Sequence, residues 1–162
     1  MKRLLLPLAS ILSFNLSAAT FHVSPDVKIG LYNGAGIQLG ITDTIGMDAV
    51  YFNFARKTYQ TDRYDERIDS YRLGLQHMFG HRQDHGLQAE FGIADYRGEQ
   101  SRNNEINSRN AIGLSIGASY VYMLNSSFGL KSGFDYDVFN SQDTYIPIGS
   151  NVTLNFGIIG RF

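Results

Sequence analysis

Four histidines and a scatter of charges supply most of the reactive chemistry in this sequence. His22, His77, His81 and His85 are the candidate bases. A hydrolase or acyltransferase would need one of them beside a nucleophile and steadied by a third group. His81 and His85 bracket Asp84 in His81-Arg-Gln-Asp-His85, a set that invites a metal reading. On a short turn, two histidines four apart share no helical face, and no fourth ligand is evident. A solvated turn accounts for them, so neither metal, cofactor nor catalysis is expected. The charges Lys28, Arg72, Glu90, Lys131, Asp135, Asp137 and Arg161 carry both signs. On the inner face of a narrow sheet such charges are tolerated only when paired or hydrated. They suit a salt-bridged plug, which we prefer, or a gated path for ions.

The elements that would position these groups are strands. From Asn110 to Leu124, Ile112, Leu114, Ile116, Ala118, Tyr120 and Tyr122 alternate with Gly113, Ser115, Gly117, Ser119 and Val121. Phe128, Leu130, Phe134, Tyr136 and Val138 alternate in the same way with Gly129, Lys131, Gly133, Asp135 and Asp137. The last segment sets Val152, Leu154, Phe156, Ile158 and Phe162 against Asn151, Thr153, Asn155, Gly157 and Arg161. A period of two means a strand with one apolar face and one small or polar face. A soluble sandwich would show the same alternation. Three features favour a membrane barrel: strands of about 10 to 13 residues, Gly- and Ser-rich polar faces that suit a narrow bore, and connections that alternate short with long. The short ones are Asp43-Thr44, Gly80 to His85 and Asn125 to Ser127. The long ones are Lys57 to Asp69, Arg97 to Arg109 and Asn140 to Gly149.

The amino terminus agrees. Met1-Lys2-Arg3 precedes the apolar stretch Leu4 to Leu16, and Ser17-Ala18-Ala19 supplies small residues for cleavage. That is the layout of an export signal, expected to be cut after Ala19 and to leave residues 20–162 as one barrel domain. The chain has no Cys, which closes the lipoprotein route, and a formal net charge of −1, which gives no electrostatic pointer to nucleic acid. Beyond Leu16 no stretch is long and apolar enough for a transmembrane helix.

Seven strands are clear, counting back from Phe162. An even number places both termini in the periplasm, so Phe21 to Ile41 is read as a hairpin with a three-residue turn at Asn33-Gly34-Ala35. That turn would pair Leu31 with Ile37 and Ile29 with Leu39. The facing of Ile45 to Arg56 stays open, because Val50, Phe52 and Phe54 compete with Met47, Ala49 and Tyr51. A bulge inside it would switch the register. The expected fold is thus all-β: an eight-stranded antiparallel up-and-down transmembrane β-barrel.

In this architecture the chain resembles the small outer-membrane proteins of the OmpA membrane-domain, OmpX and Ail type. The best local match is carboxy-terminal: Asn155, Gly157 and Phe162 look like the signal read by the machinery that assembles outer-membrane barrels, and Gly160 departs from its apolar requirement. The resemblance implies residence in the bacterial outer membrane among phospholipid and lipopolysaccharide, as a monomer. It also implies either a structural or surface-interaction role through the loops 57–69, 97–109 and 140–149, or a narrow gated channel. A host or envelope ligand would meet those loops. Tyr59, Tyr64, Tyr96 and Tyr145 are read as strand-end or girdle aromatics anchoring the membrane interface.

Overall fold

The computed structural model describes residues 20–102 and 105–162. The expected export segment, residues 1–19, lies outside them. Eight strands form a closed barrel in chain order: β1 (Phe21–Gly30), β2 (Asn33–Thr44), β3 (Met47–Gln60), β4 (Tyr64–Phe79), β5 (His85–Arg102), β6 (Glu105–Met123), β7 (Phe128–Val138) and β8 (Ser150–Arg161). All neighbours are antiparallel, and β1 closes on β8. At the rim of that seam Phe21 and Phe162 exchange both backbone bonds, at 2.7 and 3.0 Å.

Alternation becomes geometry as the pleat requires. Leu73, Phe91 and Ile112 point outward and are 69%, 63% and 78% exposed, while the inward-facing Arg72, Glu90 and Asp135 are buried. A wall that is apolar outside and charged inside inverts the soluble arrangement. It suits hydrocarbon as the outer solvent.

The amino-terminal hairpin exists, with a different register. Pro25 pairs with Ile37 and Val23 with Leu39, so the turn residues are Leu31 and Tyr32 rather than Asn33 to Ala35. The Asn33 side chain accepts the Gly30 N–H at 3.1 Å and so closes the turn from its far side. Gly34 lies flat against β3, where a Cβ would sit 1.9 Å from the Arg56 carbonyl oxygen. The slip is an even number of positions, so Ile29, Leu31, Ile37 and Leu39 keep the outer face. The turn expected at Asp43-Thr44 falls instead at Ile45-Gly46, with φ of 50° and 77°.

The open question in β3 is settled without a bulge. Its ladders to β2 and β4 run in one register, with Ala49, Tyr51, Asn53, Ala55 and Lys57 inward. Tyr51 can point inward because glycines flank it: its partners are Gly40 on β2 and Gly74 on β4. A Cβ on Gly74 would lie 2.3 Å from the Tyr51 ring, so the aromatic fills the space that both glycines vacate.

Two of the three expected long loops are strands. β3 and β4 are joined by residues 61–63 alone, and β5 runs to Arg102 before β6 begins at Glu105. Tyr59 pairs with Glu66 and Glu99 with Ser108, so the ladder continues above the membrane. There the outer face meets water, the apolar half of the alternation disappears, and composition alone reads as loop. Only the third, residues 139–149, is irregular, with a short 3₁₀ turn at Pro147–Gly149.

Replacing Gly74 with Ala is expected to cost about 1–3 kcal/mol by overpacking, read as a lower urea midpoint for the heat-modifiable folded band. Adding Tyr51→Ala to Gly74→Ala should recover part of that loss. Equal midpoints for wild type and the Gly74→Ala variant would contradict the nesting.

Candidate functional site: a charged bore and its cap

An eight-stranded barrel is just wide enough for side chains to fill, and here they are largely charged. Lys28, Lys57, Arg72 and Lys131 face Asp26, Glu90, Asp135 and Asp137, all essentially buried. Asp26 pairs with Lys131 at 2.5 Å and with Lys28 at 3.1 Å. Lys28 reaches on to Asp135 at 2.7 Å, and Arg72 bridges Asp135 at 3.0 Å to Glu90 at 2.9 Å. Lys57 meets Asp137. Four cations thus balance four carboxylates.

Neutral donors reach three of the four carboxylates. Glu90 accepts from Gln38 at 2.6 Å and Asn53 at 2.7 Å. Asp135 accepts from Asn155 at 3.0 Å. Asp137 accepts from Ser115 at 2.7 Å, Ser70 at 3.2 Å and Asn151 at 3.2 Å. Burying an ion is costly unless it is paired and hydrogen-bonded; the ion pairs cover these groups, while the Arg72 Nη2 makes no hydrogen bond.

Glycine makes the room. Gly157 on β8 lies between Asp26 and Lys131 in the ladders, so their ion pair passes over a position with no side chain. A Cβ there would approach the Asp26 Cβ to 2.8 Å. Gly117 stands likewise between Glu90 and Asp135, where a Cβ would sit 2.9 Å from the Glu90 Oε2.

Of the seven charges singled out from sequence, six meet in this cluster. Arg161 does not. It points inward at the mouth where β1 begins and β8 ends, separated from the network by the buried apolar floor of Met78, Val121, Met123 and Ile159. Sequence reasoning missed Asp26, which shares a face with Lys28 by spacing alone, and Lys57, which stands in a stretch that reads as loop. The three carboxy-terminal residues divide: Asn155 binds Asp135 and Ser119 inside, Gly157 clears the ion pair, and Phe162 sits outside, edge-on to Phe128 at 6.1 Å.

Above the charges lies an apolar cap. Tyr32, Ile68, Ala94, Tyr96, Phe139 and Ile146 form one buried cluster, with Tyr59 packed against it. The Glu66 Oε2 accepts hydrogen bonds from Tyr32 at 2.5 Å and Tyr96 at 2.6 Å. The Tyr96 hydroxyl in turn accepts the Tyr145 N–H at 3.1 Å. Tyr145 donates its own hydroxyl to the Asn107 carbonyl at 2.9 Å and lies under Arg109, 4.5 Å from its ring centre. Residues 139–149 therefore fold down over the bore instead of standing free. Tyr96 and Tyr59 are cap residues, not girdle: the even positions of β5 face inward, and Tyr96 is one of them. Tyr64 meets Tyr145 edge-on at 5.7 Å, so these two belong to the cap surface as well. Aromatics that do lie on the outer wall, toward the end that holds both termini, include Phe79, Tyr120, Tyr122 and Phe128.

Three of the four histidines make specific side-chain contacts. His22 and Ser24 share the inner face of β1, but both are fully buried, and His22 stacks on Tyr51 at 5.1 Å with its Nε2 at 3.2 Å from Gln38. His77 pairs with Asp48 at 3.2 Å on the outer wall, and His85 contacts Tyr120. Among the described residues no three or more His, Asp or Glu side chains gather as a metal site.

No family model matches the chain. A major outer-membrane protein of Thermus thermophilus superposes with a TM-score of 0.66 at 14% identity, covering 90% of this chain and 100% of that one. Ail, the attachment invasion locus protein of Yersinia pestis, gives 0.62 at 14%, over 89% and 97%. Neisserial surface protein A gives 0.61 at 15%, over 88% and 97%. This chain has the fold of the small eight-stranded outer-membrane barrels. By sequence it is 27% identical over 139 residues to the oligogalacturonate-specific porin KdgM of Dickeya dadantii, covering 84% of this chain but only 56% of that porin.

Arg72→Met would strand Glu90 and part of Asp135. We expect a loss of about 3–5 kcal/mol in the urea midpoint, with Arg72→Met/Glu90→Met recovering part of it. No change in either variant would mean that the bore is hydrated rather than locked. In the cap, burial and the Glu66 carboxylate push the phenol of Tyr32, in the β1–β2 turn, above its ordinary value. An unfolded Tyr ionises near pH 10, so this contribution is complete below about pH 10 and falls as pH rises beyond it. Tyr32→Phe should flatten the alkaline decline in stability, measured from about pH 9 to about pH 12.

Proposed function

We propose that the protein is a non-conducting, non-enzymatic barrel of the bacterial outer membrane that works through its extracellular surface. The observation that carries this reading is the bore itself: eight buried charges of balanced sign, backed by neutral donors and capped by residues 139–149. The segment 1–19 directs export in this reading, and Asn155, Gly157 and Phe162 present the assembly signal. The fold is one that adhesive and surface proteins such as Ail and Neisserial surface protein A also adopt.

The working surface is the sheet that β3 to β6 project beyond the membrane. On its outer face Arg67 stands opposite Arg97, bracketed by the carboxylate pairs Asp69–Asp95 and Asp65–Glu99. Arg56 holds Asp69 at 2.7 Å, and Arg97 holds Asp95 at 2.9 Å. Ail has been solved with the heparin analogue sucrose octasulfate. Here alternating signs leave no contiguous basic field for a polyanion to follow. A protein or envelope surface of mixed charge fits better. The likeness to a porin favours a transport reading, and the filled bore opposes it.

Replacing outward Asp65, Arg67, Arg97 and Glu99 together with Ser should leave heat-modifiable migration intact and lower adhesion to host cells or survival in serum. Unchanged phenotypes would contradict the surface reading. In planar bilayers the wild-type barrel should give no steady conductance, and reproducible single-channel steps would favour the channel.

A further inference from the structure

The outer wall is not uniformly convex. On its periplasmic half a groove of about 620 Å³ is floored by Ala89, Ala118 and Ser132 and walled by Leu75, Tyr120 and Phe134. The ladders explain the hollow. Leu75, Ala89, Ala118 and Phe134 are successive cross-strand partners, so two methyl groups stand side by side between bulky residues. Ser132, opposite Tyr120, extends the low ground by one strand. The rim nearer the periplasmic turns is polar: His77 lines it and is held by Asp48 at 3.2 Å, while the Tyr120 hydroxyl meets His85.

We propose that this groove is a phospholipid site that seats one acyl chain along Ala89 and Ala118 with the headgroup at His77 and Asp48. Between hydrocarbon and an apolar wall there is no hydrophobic gain, so a chain is retained by close packing and by its polar end. Both are on offer here. A hollow of this size forfeits dispersion contacts unless a chain enters it. The adjacent carboxylate and imidazole complement the ammonium and phosphate of a zwitterionic ethanolamine headgroup. A second barrel is a poorer occupant. A two-fold contact places the same patch on both partners, and a hollow cannot fill a hollow.

The test is native mass spectrometry of the refolded barrel carried from bilayers of mixed phosphatidylethanolamine and phosphatidylglycerol into mild detergent. Wild type should retain one phospholipid, with ethanolamine favoured over glycerol. Ala118→Phe fills the floor from the lipid side and should abolish retention while heat-modifiable migration is unchanged. Ser132→Leu serves if Ala118→Phe fails to fold. His77→Ala should keep the lipid and lose the headgroup preference. Wild type emerging bare, or Ala118→Phe retaining lipid as wild type does, would overturn the proposal. So would a dimer dispersed by Ala118→Phe, which would make the groove an interface between copies.

Discussion

The constraint on which this structure depends is the width of an eight-stranded bore. Such an interior is too narrow to hold bulk water around its charges, so each ion must find its counter-ion across the barrel. Asp26, Lys28, Asp135, Arg72 and Glu90 form a chain of contacts linking β1, β7, β4 and β5. Lys57–Asp137 and Lys131–Asp26 tie in β3 and β7. The ion pairs hold together strands that are far apart in sequence, which hydrocarbon outside the wall cannot do. The glycines follow from the same constraint: Gly157 lies beneath the Asp26–Lys131 pair, and Gly117 separates the two carboxylates that Arg72 bridges.

Above the bore the requirements change with the solvent. β3 to β6 continue past the hydrocarbon as a sheet whose outer face is hydrated and whose inner face still needs cover. Residues 139–149 provide that cover, bringing Ile146 down onto Ile68 and Tyr96 and Tyr145 into the Tyr96–Glu66 hydrogen-bond chain. Capping and projection are therefore linked: the segment that closes the mouth also supports the inner side of the projecting sheet.

The fold was legible because lipid outside and polar contacts inside impose a strict period of two on β6, β7 and β8. The same alternation on β1, β4, β5 and β7 placed six of the seven lumen charges. Where the outer solvent becomes water the signal fails, and so Lys57, on a polar stretch, reads as loop although its strand continues. Tyr51 was ambiguous because an inward aromatic depends on Gly40 and Gly74, which lie on other strands and become neighbours only through the register. The hairpin register depended on the Asn33 side chain reaching back to Gly30, a bond that a strong Asn-Gly turn preference obscures. Arg161 shows the limit of facing arguments: it has the right face and the wrong depth, below a floor of Met78, Val121, Met123 and Ile159.

The lysines give the bore a chemical handle of its own. Beyond residue 19 the chain has three, Lys28, Lys57 and Lys131, and all three are inside the bore, 2%, 0% and 3% exposed. The outer cations are arginines. Treating the folded barrel in bilayers with a small amine-reactive acylating reagent, and reading these three positions by residue-resolved mass spectrometry, therefore reports on the plug. A locked, ion-paired bore predicts that the three lysines stay unmodified until the barrel is boiled and are then modified together. Modification of Lys57 or Lys131 in the folded barrel at the rate of a free surface amine would contradict it.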